Sequence, residues 1–175
     1  VAPKHDIPLL IDMEGLCTPV MEELGFTVTK DDGQGKRTID WSKTRAIIQR
    51  EGHIYLNIKG RDPHGIVDPA DQYELEEEIM TALYGYRDKT TGKRVIACAL
   101  RNRDALLLGL GGPECGEIIY WTAEGYNMDH GDSLATTWGY AETSVSPIFI
   151  AAGKGIKANF TTERIIREVD VAPTV

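Results

Sequence analysis

The chain has 175 residues, of which 42% are hydrophobic and 26% charged, and its formal net charge is −8. That length supports one domain with a real core, and an acidic balance excludes the clustered Lys/Arg footprint of a nucleic-acid binder. No apolar run approaches the roughly 18 residues of a membrane-crossing helix, so neither nucleic acid nor membrane is expected as a partner.

Cys17, Cys98 and Cys115 are widely spaced, without a CxxC pair. This pattern fits a reducing compartment and a cytoplasmic location. Val1-Ala2-Pro3 lacks an obvious start. Val169 to Val175 looks like an Asp cap with Pro entering a helix that is not written. Both ends look cut, so the chain is expected to be the C-terminal portion of a longer protein.

In chain order, Glu14 to Leu24 has helical character, with Gly25 as its stop. Lys30 to Lys36 is a Gly-bearing polar turn. Thr44 to Ile48 is a short strand, and His53 to Ile58 a second, its Ile54, Leu56 and Ile58 on one face. Lys59 to Val67 is a loop punctuated by Gly60, Pro63 and Gly65. The best helix signal follows: Asp68 as N-cap, Pro69 at the first helical position, then Leu75, Ile79 and Leu83 every four residues. Gly85 ends it. Glu74, Glu76, Glu77 and Glu78 lie mostly off that stripe and read as a solvated face. Asp88 to Lys93 is a turn, Arg94 to Leu100 a strand, and Asn102 caps a short helix through Leu108. Gly109 to Gly116 is a Gly/Pro loop and Glu117 to Trp121 a strand. Pro147 to Ala152 has the length and apolarity of a buried strand, ending in a Gly153-Lys154-Gly155 turn. Strands interspersed with helices indicate α/β or α+β.

Chemistry-bearing motifs are sparse. His5, His53 and His64 sit in settings that suit structural or solvent roles. His130 lies after a strand, flanked by Asp129, Gly131 and Asp132. Two readings are open from spacing alone: a metal ligand or acid–base group beside a carboxylate, or a loop His with local hydrogen bonds. One His does not make a zinc site, since a catalytic site takes three protein ligands. The Gly-Lys-Gly turn lacks the phosphate-loop spacing, Gly109 to Gly112 lacks the dinucleotide fingerprint, and no GxSxG elbow is present.

Two blocks resemble a known family. His130-Gly131, Ser144 to Gly153, Thr161-Thr162 and Val169 to Thr174 look like the last block of the alkaline phosphatase superfamily, in its branch of type I phosphodiesterases and nucleotide pyrophosphatases. Tyr55 to Val67 resembles the N-x-K-G-R-x-P-x-G-I-V segment of that branch, and Ile39 to Thr44 also fits. The likeness spans residues 37 to 175. It implies an α/β fold: the C-terminal part of an alkaline-phosphatase-like three-layer sandwich with an inserted α+β elaboration. Residues 52–116 would be the insert or cap, and 117–175 the core strands and metal-ligand loop. It implies a metal-dependent phosphohydrolase, cleaving phosphate mono- or diesters through a Ser/Thr nucleophile beside two divalent metal ions, zinc or manganese. His130 matches the late metal-ligand His. The nucleophile and the remaining ligands would lie outside this chain, which therefore holds no catalytic residue and is expected to be inactive alone. The expected partners are a phosphate-ester small molecule and the N-terminal part of the same protein. A non-catalytic binding or assembly module and a phosphoglycerate-mutase-like phosphotransferase are the alternatives.

Overall fold

The computed structural model describes residues 18–49, 52–123, 126, 149–164 and 171. The chain divides into two compact units, Val1–Gly139 and Tyr140–Val175.

The first unit is α+β, built on antiparallel sheet. Helix α1 spans Thr18–Glu23 and turns back at Gly25, whose φ of 79° suits a residue without a Cβ. Strands β1 (Thr29–Asp31) and β2 (Arg37–Ile39) form a hairpin. Its turn is the polar one expected at 30–36. The Asp31 carboxylate accepts from the Gly33 backbone at 2.7 Å, and Asp32 accepts from Gln34 at 2.8 Å. The two flanking strands are too short and polar to stand out in the sequence.

The main sheet has four strands in the order β3-β4-β6-β5. They are β3 (Ala46–Ile48), β4 (His53–Leu56), β5 (Ile96–Arg101) and β6 (Ile118–Thr122). All neighbours are antiparallel; Ile48 faces Ile54, Ile54 faces Ile118, and Ile118 faces Arg101. The sheet thus takes strands from both sides of 52–116, with β6 inside it between β4 and β5.

Pro69–Asp71 form a 3₁₀ turn whose Ala70 backbone is capped by the Asp68 carboxylate at 3.0 Å. Helix α2 follows over Gln72–Gly85 and packs on β5. The cap and the four-residue stripe are as the sequence predicts: Leu75, Ile79 and Leu83 are buried. Each contributes roughly 2 kcal/mol through burial of its side chain. Their partners include Ile54, Ile96, Ile118 and Tyr120 in one continuous core. Glu74, Glu77 and Glu78 are exposed, as the expected solvated face requires, and only Glu76 departs from it. Glu76 is buried, because it flanks the stripe on the side of Met80, which is also buried. Its charge is met by Arg101 at 3.0 Å.

Strand β5 leads directly into α3 (Asn102–Ala105) and a 3₁₀ turn over Leu106–Leu108 that stops at Gly109, φ 75°. No helix among the described residues is long and apolar enough to cross a membrane.

In the second unit, the described residues 149–164 form no helix or strand. The strand expected at Pro147–Ala152 is not formed over the described positions 149–152, where Phe149 is 50% and Ile150 86% exposed. An apolar run becomes a buried strand only where neighbouring strands and a covering layer receive it, and no strand among the described residues pairs with these residues. The expected turn at Gly153 is formed, with the Ile156 backbone donating to the Gly153 carbonyl at 3.1 Å.

The α+β unit depends on Asn57, buried just after β4. Its amide donates to the carbonyls of Thr44 at 2.9 Å, His64 at 3.1 Å and Trp41 at 3.2 Å. Asn57→Ala strands three carbonyls and is expected to cost roughly 3 kcal/mol of unfolding free energy, measured by urea titration. A loss within the error of the titration would show that these bonds are replaceable by water.

Candidate functional site

His130 and Asp129 lie outside the described residues, as do His5 and Cys17. Of the other histidines, His64 is exposed in its loop and His53 half-buried on β4. The thiols of Cys98 and Cys115 are unpaired and half-buried. Among the described residues no group of three or more His, Cys, Asp or Glu side chains is placed to hold a metal ion.

The segment Tyr55–Val67, one of the two family-like blocks, folds as a stitched loop between β4 and α2. Asn57 anchors its start and its carbonyl receives the backbone N–H groups of Ile66 and Val67, both at 2.9 Å. Asp62 turns inward and accepts from the Ile58 backbone at 2.7 Å. Arg61 binds the Glu117 carboxylate, the Leu56 carbonyl and Asp62. Glu117 in turn accepts from the Leu56 backbone at 2.7 Å. The hydrogen bond that Arg61 donates to Glu117, against the opposing effect of burial, raises the Arg61 pKa above its ordinary value. Gly65 lies flat on Ile58, where a Cβ would collide with the carbonyl. Every polar residue so engaged holds backbone, so this loop is architecture.

A second cluster lies at the far end of β6. Tyr126 is buried, and its hydroxyl donates to Asp88 at 2.9 Å and contacts the Thr91 hydroxyl at 3.1 Å. Its carbonyl accepts from the Thr122 hydroxyl at 2.7 Å. Asp88 also accepts from the Thr90 and Thr91 backbones, at 2.7 and 3.0 Å. The Thr91 N–H is the largest influence on Asp88; with Thr90, Tyr126 and the Thr91 hydroxyl it outweighs burial and holds the pKa at about 2.

The sequence did not flag a concavity with the size of a ligand site among the described residues of the α+β unit. A cleft of about 730 Å³ opens between the start of α2, the end of β5 with α3, and the loop 112–117. Arg101 forms its floor. Its guanidinium stacks 4.0 Å from the Tyr73 ring centroid and donates to Glu76 at 3.0 Å and Glu77 at 2.7 Å. Burial disfavours the Arg101 charge, but hydrogen bonding to Glu77, the neighbouring Tyr73 and hydrogen bonding to Glu76 outweigh it and raise its pKa. Asn102 fixes the opposite wall: its amide donates to the carbonyls of Gly112, Gly116 and Cys115 and accepts from the Gly112 backbone, all at 2.8 to 3.2 Å. Asn102 therefore stitches a loop, whereas the sequence suggested a helix cap; the N-cap position is Arg101. The signal available in the sequence was the group Arg101-Asn102-Arg103 at a strand end, opposite a Gly-rich loop.

Comparison with protein-family models, curated proteins and solved structures finds no significant match to the chain.

Asp88 provides a pH test of the Tyr126 anchor. Its folded pKa of about 2 lies below the ordinary 3.8, so its stabilisation is complete above pH 3.8 and is lost as pH falls through about 2. Thermal unfolding of wild type and Asp88→Asn from pH 6 down to about pH 2 should show a melting-temperature gap that is constant above about pH 4 and closes toward pH 2. A gap independent of pH would mean that the carboxylate charge is not what holds Tyr126.

Proposed function

We propose that this chain is a C-terminal portion of a metal-dependent phosphohydrolase resembling the type I phosphodiesterase branch of the alkaline phosphatase superfamily. His130 supplies one ligand to a two-metal centre, zinc or manganese, while the Ser/Thr nucleophile and the other ligands lie outside the chain. In that enzyme the metals polarise the phosphate ester and lower the pKa of the nucleophile. The α+β unit is read as an elaboration on the larger catalytic sandwich. What carries the reading is the pair of sequence blocks at 55–67 and 130–174. It is supported by the way the first block folds: Asn57, Arg61, Asp62 and Gly65 build one interlocked loop that links β4 to α2. The unpaired Cys98 and Cys115 fit a cytoplasmic setting.

A non-catalytic binding module is the second reading, and one observation favours it. The described residues of the α+β unit form a continuous hydrophobic core and line a cleft. A phosphoglycerate-mutase-like phosphotransferase shares the metal chemistry and is separated by substrate.

The test uses the complete protein loaded with zinc or manganese. Bis(4-nitrophenyl) phosphate should be hydrolysed, and phosphoglycerate should not be isomerised. His130→Ala should lower bound metal and reduce turnover by at least about 100-fold. Unchanged metal content and turnover in that variant exclude His130 as a ligand, and isomerisation of phosphoglycerate would select the transferase.

A further inference from the structure

The cleft beside Arg101 is a built site, and its walls say what it would take. The volume of about 730 Å³ falls in the range of small-molecule sites. Its shape does not depend on a ligand to stay open. Arg101 is clamped to two carboxylates of α2, with its side chain only 11% exposed. Asn102 makes four hydrogen bonds to the facing loop. Gly111 sits so close to Asn102 that any Cβ would displace the wall. A cleft held this way enters binding without an ordering cost.

The polar groups around it divide into those already committed and those still available. The guanidinium of Arg101 is matched by Glu76 and Glu77. The Asn102 amide is saturated. Gln72 donates to Glu76 at 2.8 Å, and Glu117 is bound by Arg61 and the Leu56 backbone. What remains is Arg103. Its side chain is 64% exposed, the Asp104 carboxylate lies 3.9 Å away, and its guanidinium carbon lies 5.3 Å from the Tyr73 ring centroid. Among the described residues the cleft therefore offers one cation, Arg103, that is not closely neutralised. Around it stand apolar surfaces: the exposed Leu106, Pro69, Pro113 and the half-exposed Tyr73 ring. A neutral ligand would leave Arg103 unused, and a bare inorganic anion would leave the apolar walls wet.

We propose that this cleft binds a small organic anion, a phosphate or carboxylate carried on an apolar or aromatic body. Arg103 pairs with the anionic group, for which a guanidinium gives a two-point contact. The body lies against Leu106, Pro113 and the Tyr73 ring. This site stands apart from the reading of His130, and either can fail without the other.

The experiment titrates the complete chain with phenyl phosphate, benzoate, phenol and inorganic phosphate, by calorimetry and by backbone NMR. Phenyl phosphate or benzoate should saturate, moving the amide signals of Tyr73, Arg103, Leu106 and Cys115, and their relative affinities decide between phosphate and carboxylate. Arg103→Ala should weaken that binding at least tenfold with an unchanged melting temperature, since Arg103 is exposed. Arg94→Ala, outside the cleft, should bind as wild type does. Bound ligand should also slow maleimide labelling of Cys115, read by mass spectrometry at that residue, while Cys98 is unaffected. The proposal is overturned if neither organic anion saturates, if phenol or inorganic phosphate binds as tightly, or if Arg103→Ala leaves affinity unchanged.

Discussion

A four-stranded antiparallel sheet has two edges, each a row of backbone groups that must find partners or meet water. In this protein, side-chain hydroxyls and one short segment meet part of each edge. At the β3 edge, the backbone N–H groups of Arg45 and Ala46 donate to the Phe26 carbonyl at 2.9 and 3.2 Å. The Thr27 hydroxyl donates to the Ala46 carbonyl at 2.6 Å, and the Thr44 hydroxyl bonds both the amide and the carbonyl of Val28. At the β5 edge, the Tyr84 hydroxyl accepts from the Ala99 amide at 3.0 Å and donates to its carbonyl at 3.1 Å. The register of β5 on β6 shifts between Ile96 and Cys98, just before the residue that Tyr84 reaches. Because Tyr84 belongs to α2, the same contact that meets the sheet edge fixes the helix along it.

The cleft follows from that placement. With α2 held at Tyr84 near its C-terminal end, its first turns lie over the end of β5, where Arg101 meets Glu76, Glu77 and Tyr73. A buried guanidinium and carboxylate contribute little net stability, but removing either leaves an uncompensated charge at a cost of roughly 3–5 kcal/mol. Such a pair specifies position more than it adds strength. It sets the distance between helix and strand, and Asn102, the next residue, sets the loop on the other side. Two consecutive residues thus define both walls, and the third, Arg103, projects into the space between them.

Local chemistry was legible in the sequence where a single segment determines it. The Asp68-Pro69 start of α2, its Leu75/Ile79/Leu83 stripe, the four strands of the main sheet and the turns at 30–36 and 153–155 all follow from neighbours in sequence. What was not legible depends on partners far along the chain. Glu76 reads as a surface residue until Arg101, 25 residues later, is placed against it. Asn102 reads as a cap because the loop it binds lies 10 to 14 residues away. The run Phe149–Ala152 reads as a strand because apolarity alone does not say whether a neighbouring strand exists. The order β3-β4-β6-β5, with β6 in the interior, likewise depends on pairing that no local pattern encodes.

The same distinction bears on what the family-like blocks can carry. Residues 55–67 read in the sequence as a strand end running into a loop punctuated by Gly60, Pro63 and Gly65, within a family-like block. In the fold, Asn57, Arg61 and Asp62 each hold backbone, and Gly65 is required by the close approach of Ile58. A loop whose polar atoms are this fully engaged has few left to meet a substrate, apart from the exposed Lys59 and His64. Likeness in this block therefore argues for a shared architecture, since Asn57, Arg61 and Gly65 answer packing or hydrogen-bonding demands that any chain with this loop would face. The argument for phosphoester chemistry must rest on the block that begins at His130. In the proposed reading, fold and function thus rest on different stretches of the chain: one whose residues are tied to one another, and one whose single histidine would act only with ligands supplied from elsewhere.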